Sequence, residues 1–508
     1  MTVKKGIKRI IAAAMALCIT AASPVLTKTD THAAQMRDAW TITKEMGAGW
    51  NLGNSLESEY NEECWGNPRT TKAMIDKISE KGFTTLRVPV RWDDNYSDPS
   101  NYTIKNDYMN RVEEVVNYGL NNNMYVIINV HHNDLQTKVS TNSWEQQQVK
   151  DELRAIWTQV GNRFKNYGDK LIFEVNNEPR CGNDWGGSND LYNCVNEYNE
   201  AARAAIRATG GNNAKRLVML PTYCASADAP KIAGWRKLSG DDMIAVSIHA
   251  YLPFQFAYEG KQTVWNNDRY NELKEVFNSL NSTFISKGIP VVIGEFGATD
   301  MGNTYDREQY AAAYAGMGND YGIPCVWWDN NRFEHGQENF GIFNRSSYSF
   351  TYGKIAENIV NAYTGSAKPS PAPDPEQEPV VSGNTVTLFS GSAKASDWGQ
   401  AVSSTTTKYG GRFDASHIVK DGYFYIEYDG TYEKLELILQ SWSGASEWAK
   451  VSISESGSAN GHYCAKFSYD NCVSAFGTSD FKNKLDQIHV GAKDSRITVY
   501  SVCYCYPD

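Results

Sequence analysis

Between residues 35 and 363, short apolar runs rich in β-branched and aromatic side chains alternate with longer segments of helical period. The runs lie at 47–51, 84–88, 124–130, 171–175, 216–220, 244–248, 290–293 and 324–327. Such alternation is the pattern of βα repetition and a parallel sheet. Eight runs over roughly 330 residues predict a closed (β/α)8 TIM barrel with some enlarged loops. An open doubly wound sheet has the same periodicity, and the polar residues at the run ends separate the two. Arg87 closes the second run, His131 and His132 follow the third, and Asn177 and Glu178 follow the fourth. His249 and Tyr251 follow the sixth, Glu295 the seventh and Trp328 the eighth. A barrel gathers the carboxyl ends of all its strands in one bowl, whereas an open sheet spreads them along an edge.

The pattern changes after residue 363. Five prolines fall in the polar stretch 367–379, which favours an extended polyproline spacer and marks a domain boundary. From 384 to 508, short partly alternating runs at 423–428, 434–440, 450–454 and 496–500 are separated by Gly, Ser, Asp and Asn, predicting an antiparallel β-sandwich. The expected organisation is therefore a leader at 1–34, a barrel at 35–363, a linker at 364–383 and a sandwich at 384–508.

The leader follows from Lys4, Lys5, Lys8 and Arg9, an apolar run over 10–22, and small or polar residues through Ala33 and Ala34. This is the layout of a secretory signal, too short to span a bilayer comfortably, and it predicts export with cleavage near Ala34. Leu17 before Cys18 argues against a lipid anchor. Nine of the ten cysteines lie beyond the leader, so at least one thiol stays unpaired within the chain. Cys181 and Cys194, bracketing a Gly/Asn/Asp-rich loop, are the expected local disulfide. No cysteine spacing fits a zinc site, so neither metal nor cofactor is expected. A formal net charge of −10 without a basic cluster after the leader excludes nucleic acid as a partner and favours a neutral substrate. Thirty Tyr and 14 Trp supply flat amphipathic rings suited either to stacking on sugars or to filling cores.

Two carboxylates dominate the first domain, Glu178 in Asn177-Glu-Pro179 and Glu295 in Gly294-Glu-Phe-Gly297. A facing pair of carboxyls is the minimum kit for glycoside hydrolysis, one protonating the leaving oxygen and the other attacking or positioning water. Phe173-Glu-Val-Asn-Asn-Glu-Pro179 and Gly294-Glu-Phe-Gly297 stand in order with Gly49-Trp-Asn-Leu-Gly-Asn54, Leu86-Arg-Val-Pro89, Val130-His-His-Asn133, His249-Ala-Tyr251 and Trp327-Trp328. Together they resemble glycoside hydrolase family 5, the cellulase-containing family of retaining (β/α)8 enzymes, over nearly all of the first domain. The resemblance implies Glu178 as acid/base, Glu295 as nucleophile, and Asn177 as a hydrogen-bond partner of the sugar 2-hydroxyl. Carboxyls about 5–5.5 Å apart suit retention, and an ionised Glu295 is expected to keep its neighbour Glu178 protonated.

Arg87 is expected to aim Glu295 and hold it ionised, Tyr251 to donate to it, and His131 and His249 to order the carboxylates and sugar hydroxyls. His132 is balanced between a functional and a structural role. Trp328 is the expected platform beside the cleavage point. Asn54, Glu57, Trp65 and the loop Cys64-Trp-Gly-Asn-Pro68 resemble the subfamily that includes endoglucanases and xyloglucan-active members. Trp185 and Trp265 lie in loop-like surroundings as further subsites or loop anchors. In the second domain Trp398, Trp442 and Trp448 sit among Gly and Ser and are the expected glycan-stacking rings; a purely structural sandwich is the alternative. The sum is an exported, monomeric, retaining endo-β-1,4-glucanase acting on cellulose, related plant cell-wall β-glucans and xyloglucan, with a tethered polysaccharide-binding module. Its alternatives are a β-mannanase or xylanase on the same scaffold and a catalytically silent glycan-binding protein.

Overall fold

The computed structural model describes residues 36–365 and 384–507, apart from short stretches at 397, 412, 431–433, 443–446, 460–461 and 494. The expected leader, and nearly all of the linker, lie outside the described residues. No described helix is long and apolar enough to cross a membrane.

The eight expected runs form eight strands: β1 Ala48–Asn51, β2 Thr85–Val88, β3 Tyr125–Asn129, β4 Leu171–Glu174, β5 Val218–Ser226, β6 Ile244–His249, β7 Val291–Phe296 and β8 Cys325–Trp327. They close in the order β1-β8-β7-β6-β5-β4-β3-β2, each pair parallel. A helix follows every strand, from Lys72–Lys81 after β1 to Gly353–Thr364 after β8, and the helix after β5 is a single short turn, Ala229–Ala233. Capping side chains fix where several begin. Thr71, Asn142, Ser188 and Asn266 each accept a first-turn amide at the starts of Lys72–Lys81, Ser143–Phe164, Asn189–Ala208 and Asn267–Thr283.

Strand alternation divides the barrel interior into storeys. Ile127, Ile172, Met219, Ala245, Val292 and Val326 form an apolar cluster, closed from below by Ala39, Ile42 and Met46 of helix Ala39–Met46. Two residues further on, on the same face, stand Asn129, Glu174, Pro221, Ser247, Gly294 and, just past the end of β8, Trp328. The same step leads from Gly49 to Asn51 and from Thr85 to Arg87. An apolar floor thus carries a polar storey, and the chemistry rests on that storey.

The second unit is the expected antiparallel sandwich. Its strands are β9 Asn384–Ser396, β10 Gln400–Thr405, β11 Tyr423–Gly430, β12 Leu435–Gln440, β13 Ala449–Val451, β14 Glu455–Ala459, β15 His462–Ser468, β16 Gln487–Ala492 and β17 Arg496–Tyr506. One sheet runs β9-β17-β11-β15-β14 and the other β10-β16-β12-β13. Phe424, Ile426 and Tyr428 of the first meet Leu437, Leu439 and Val490 of the second in one core.

The expected Cys181–Cys194 disulfide is absent, because both thiols are free. Cys194 points inward from helix Asn189–Ala208, where its sulfur accepts from Gln146 Nε2 at 3.3 Å. Cys181 stays exposed, its amide held by the Tyr223 hydroxyl at 3.0 Å, in a loop organised around that tyrosine and Asp184.

Candidate active site

Arg87 is the hub of the polar storey. Fully buried, it donates through Nη1 to Glu295 Oε1 at 2.6 Å and to Asn51 Oδ1 at 3.0 Å, and through Nε to Glu174 Oε2 at 2.8 Å. Its Nη2 donates to Asn177 Oδ1 at 2.8 Å and lies 3.2 Å from His249 Nε2. Burial works against the guanidinium charge, but Glu174 and Glu295 outweigh it and hold Arg87 protonated. A guanidinium only donates, so the contact fixes the Asn177 amide with its oxygen toward Arg87 and its NH2 group free for another acceptor.

Glu295 is held from two sides, by Arg87 on Oε1 and by the Tyr251 hydroxyl, which donates to Oε2 at 2.8 Å. The Tyr251 proton is firmly kept, since burial and then the Glu295 charge push its acidity far from the ordinary range. Glu178 meets His249 Nδ1 through Oε1 at 2.9 Å. One oxygen of each carboxyl and a ring nitrogen of His249 all lie within 4.8 Å of one another. These three donors have the spacing of a cation site, but Arg87 and the His249 ring already bring positive charge to them.

His249 changes one expectation. Burial alone lowers its affinity for a proton, but the Glu295 charge and hydrogen bonds to Glu174 and Glu178 outweigh that and push it up to about 9. Burial likewise raises Glu178, and the hydrogen bond from His249 overcomes it, so Glu178 is drawn below the ordinary carboxylate value. The charge on Glu295 therefore does not by itself keep Glu178 protonated. The intervening imidazole competes for the same proton across the 2.9 Å contact.

Trp328 lies face to face with His131 at 5.9 Å and 12°. Gly53 permits this seat, because a Cβ there would stand 2.9 Å from the Trp328 ring and 2.8 Å from the Asp329 carbonyl. His131 Nδ1 is 3.1 Å from Asn129 Nδ2, and burial holds the ring neutral. His132, at φ 54°, packs edge-on to Trp65 at 5.7 Å, and burial pushes it down to about 4. Both rings are therefore uncharged shape elements near neutrality.

Glu57 is enclosed within its own loop. Wholly buried, it accepts the amides of Asn54 and Ser55 and so pins the loop carrying Asn54 at φ 57°. Trp265 is a loop anchor, buried against Phe256 and Tyr310. Trp185 is exposed, with the Arg180 guanidinium 4.5 Å from its ring. The residues not singled out from sequence are Asn51, Asn129, Glu174 and Ser247, all on the polar storey. Glu174 accepts from Arg87, from Asn129 Nδ2 at 2.9 Å and from the Ser247 hydroxyl. Burial raises its pKa, but the Arg87 charge and hydrogen bonds from His249 and Ser247 bring it down to about 2. Polar residues placed two positions beyond an inward apolar residue were the available signal.

In the sandwich, Trp398, Trp442 and Trp448 are all exposed. Lys450 Nζ stands 4.6 Å from the Trp398 ring centre, and Trp448 packs on His489 at 5.0 Å. His489 bridges Ser403 Oγ at 2.8 Å and Gln440 Oε1 at 3.1 Å, tying β10, β16 and β12 across one face of the four-stranded sheet. Trp442 pairs with the exposed ring of Tyr409 at 4.7 Å, a residue that drew no notice in the sequence.

The family model of cellulase (glycosyl hydrolase family 5) matches residues 48–334, and that of carbohydrate binding module 65 domain 1 matches 389–502. Endoglucanase A of Clostridium longisporum is 41% identical over 355 residues, 66% of this chain and 68% of that protein. A solved broad-specificity endoglucanase from Clostridium cellulovorans is 46% identical with a TM-score of 0.63, covering 66% of this chain and 99% of that one. A xyloglucan-specific endo-beta-1,4-glucanase from a metagenomic library, solved with cellotriose, is 36% identical with a TM-score of 0.61, covering 65% and 99%. The chain belongs to glycosyl hydrolase family 5, the retaining cellulase family, and carries a carbohydrate-binding module of family 65 behind its barrel.

Proposed function

We propose that this protein is an exported endo-β-1,4-glucanase in which Glu295 is the nucleophile and Glu178 the acid/base, acting on cellulose and related β-glucans including xyloglucan. The reading rests on the asymmetric hold on the two carboxyls. Arg87 and Tyr251 grip both oxygens of Glu295 and aim it, while Glu178 meets a proton-sharing histidine. In the first step a Glu295 oxygen attacks the anomeric carbon as Glu178 gives its proton to the departing glycosidic oxygen. In the second, Glu178 takes a proton from water, which attacks the same carbon and releases Glu295. The NH2 group of Asn177, turned outward by Arg87, donates to the 2-hydroxyl, a contact that strengthens as positive charge grows on the ring. Trp328 lies beneath the sugar next to the cleavage point.

Xyloglucan enters through the xyloglucan-specific neighbour, and export through the leader pattern at 1–34. The domain limits are proposed as 35–363 for the barrel, 364–383 for the linker and 384–508 for the module. The module holds the polysaccharide through Trp398, Trp442, Trp448 and the sheet face beside them. Product analysis on carboxymethyl cellulose, barley β-glucan, xyloglucan, mannan and xylan tests the reading. Oligosaccharides from the β-glucans that vanish in Glu295→Gln are expected. Cleavage confined to mannan or xylan, or full activity of Glu178→Ala on unactivated substrates, would overturn it.

A further inference from the structure

Beneath the catalytic pair lies a third carboxylate to which the reaction as written gives no part. Glu174 ends β4, four residues before Glu178, and is wholly buried. Its Oε2 takes Arg87 Nε at 2.8 Å and Asn129 Nδ2 at 2.9 Å, while Oε1 takes the Ser247 hydroxyl and lies 3.5 Å from His249 Nε2. On its other edge the His249 ring presents Nδ1 to Glu178 at 2.9 Å and to Glu295 at 3.6 Å. The groups around the ring are thus three carboxylates, the neutral His131, and the Arg87 guanidinium, whose Nη2 lies 3.2 Å from Nε2 but has Asn177 Oδ1 at 2.8 Å and Glu174 Oε2 at 2.7 Å to take its two protons. Three negative charges face one positive charge in a buried site, an imbalance that a protonated imidazole reduces.

We propose that Glu174 is a positioning residue of the reaction: facing Nε2, it keeps the His249 ring charged and its Nδ1 proton aimed at Glu178, so that the His249–Glu178 hydrogen bond stores the catalytic proton. The proton that Glu178 delivers to the leaving oxygen is returned by the attacking water in the second step, so the store is restored each turnover. Glu174 itself neither gains nor loses a proton, consistent with a carboxyl held down near 2. Gly294 belongs to the same arrangement, because a Cβ there would come within 3.3 Å of both Glu174 Oε1 and His249 Nε2. The proposal rests on Glu178 being the acid/base.

Two measurements on the full-length enzyme test it. In Glu174→Gln, which keeps the shape and removes the charge, the alkaline limb of the kcat/KM profile on barley β-glucan is expected to move at least one pH unit lower, with Glu174→Asp returning it part way. A loss equal at every pH, with the limb in place, is what simple damage to packing gives, and it would overturn the proposal. The second measurement needs no variant of Glu174: nitrogen NMR of histidine-labelled enzyme, with His249→Asn identifying the signals. Both ring nitrogens of His249 are expected to be protonated at pH 7, and a neutral single tautomer at pH 7 would refute the idea. A charged ring together with a fully active Glu178→Ala would instead sink the assignment of Glu178, and the proton store with it.

Discussion

Tyr251 and Arg87 divide the Glu295 carboxylate between them, one oxygen each, so losing either frees the group to rotate. Hydrogen bonds to charged groups contribute about 1.5–3 kcal/mol. Tyr251→Phe is accordingly expected to lower kcat/KM by about 10- to 100-fold and to lower the thermal midpoint as well, as steady-state kinetics and calorimetry would report. His249 adds a pH dependence. Its pKa rises from the ordinary 6.5 to about 9 on folding, so the stabilisation it brings is fully present below pH 6.5 and is lost as pH rises toward 9. The thermal midpoint of the native enzyme should fall across that window more than that of His249→Asn; parallel curves would show that the ring is neutral in the fold.

At the scale of elements, the barrel strands do their work through period two. Each of several strands lays an apolar residue in the floor and a polar one above it, and β7 places Gly294 where any side chain would press on Glu174 and His249. Gly294→Ala adds a methyl group at 3.3 Å from both, and displacements of a fraction of an ångström there should reduce kcat by about 10- to 100-fold. An unchanged kcat would mean the storey can yield. The strand positions were legible from the sequence because each is a compact apolar run followed by a helical period, and Glu178 and Glu295 were legible as carboxylates at strand ends. Glu174 was not, because one carboxylate inside an apolar run carries no sign of what it faces across the barrel. What Glu57 does was not legible either, because only the fold shows its carboxylate turned inward onto the amides of its own loop. The Cys181–Cys194 pairing failed because nearness in sequence says nothing of which face of a helix a thiol occupies. In the sandwich, β9 and β10 escaped notice because their Ser, Thr and Gly content blurs the alternation that marks a half-buried strand.

For the whole molecule, the two units solve different problems, bond cleavage in the barrel and carbohydrate binding in the sandwich. Tethering holds the cleft at high local concentration beside a polysaccharide it has already bound, which matters for an insoluble substrate and hardly at all for a dissolved oligosaccharide. Trp398→Ala combined with Trp442→Ala should weaken retention of the full chain in β-glucan affinity electrophoresis about tenfold or more, leaving cellotetraose hydrolysis unchanged. Unaltered retention would remove these rings from the binding face. Covalent trapping tests the division of labour between Glu295 and Glu178. The enzyme would be inactivated with an activated 2-deoxy-2-fluoro-β-cellobioside, digested, and its labelled peptide sequenced by mass spectrometry. A single glycosyl group on Glu295 is expected; a label on Glu178, on Glu174 or on any other residue would show that Glu295 is not the nucleophile.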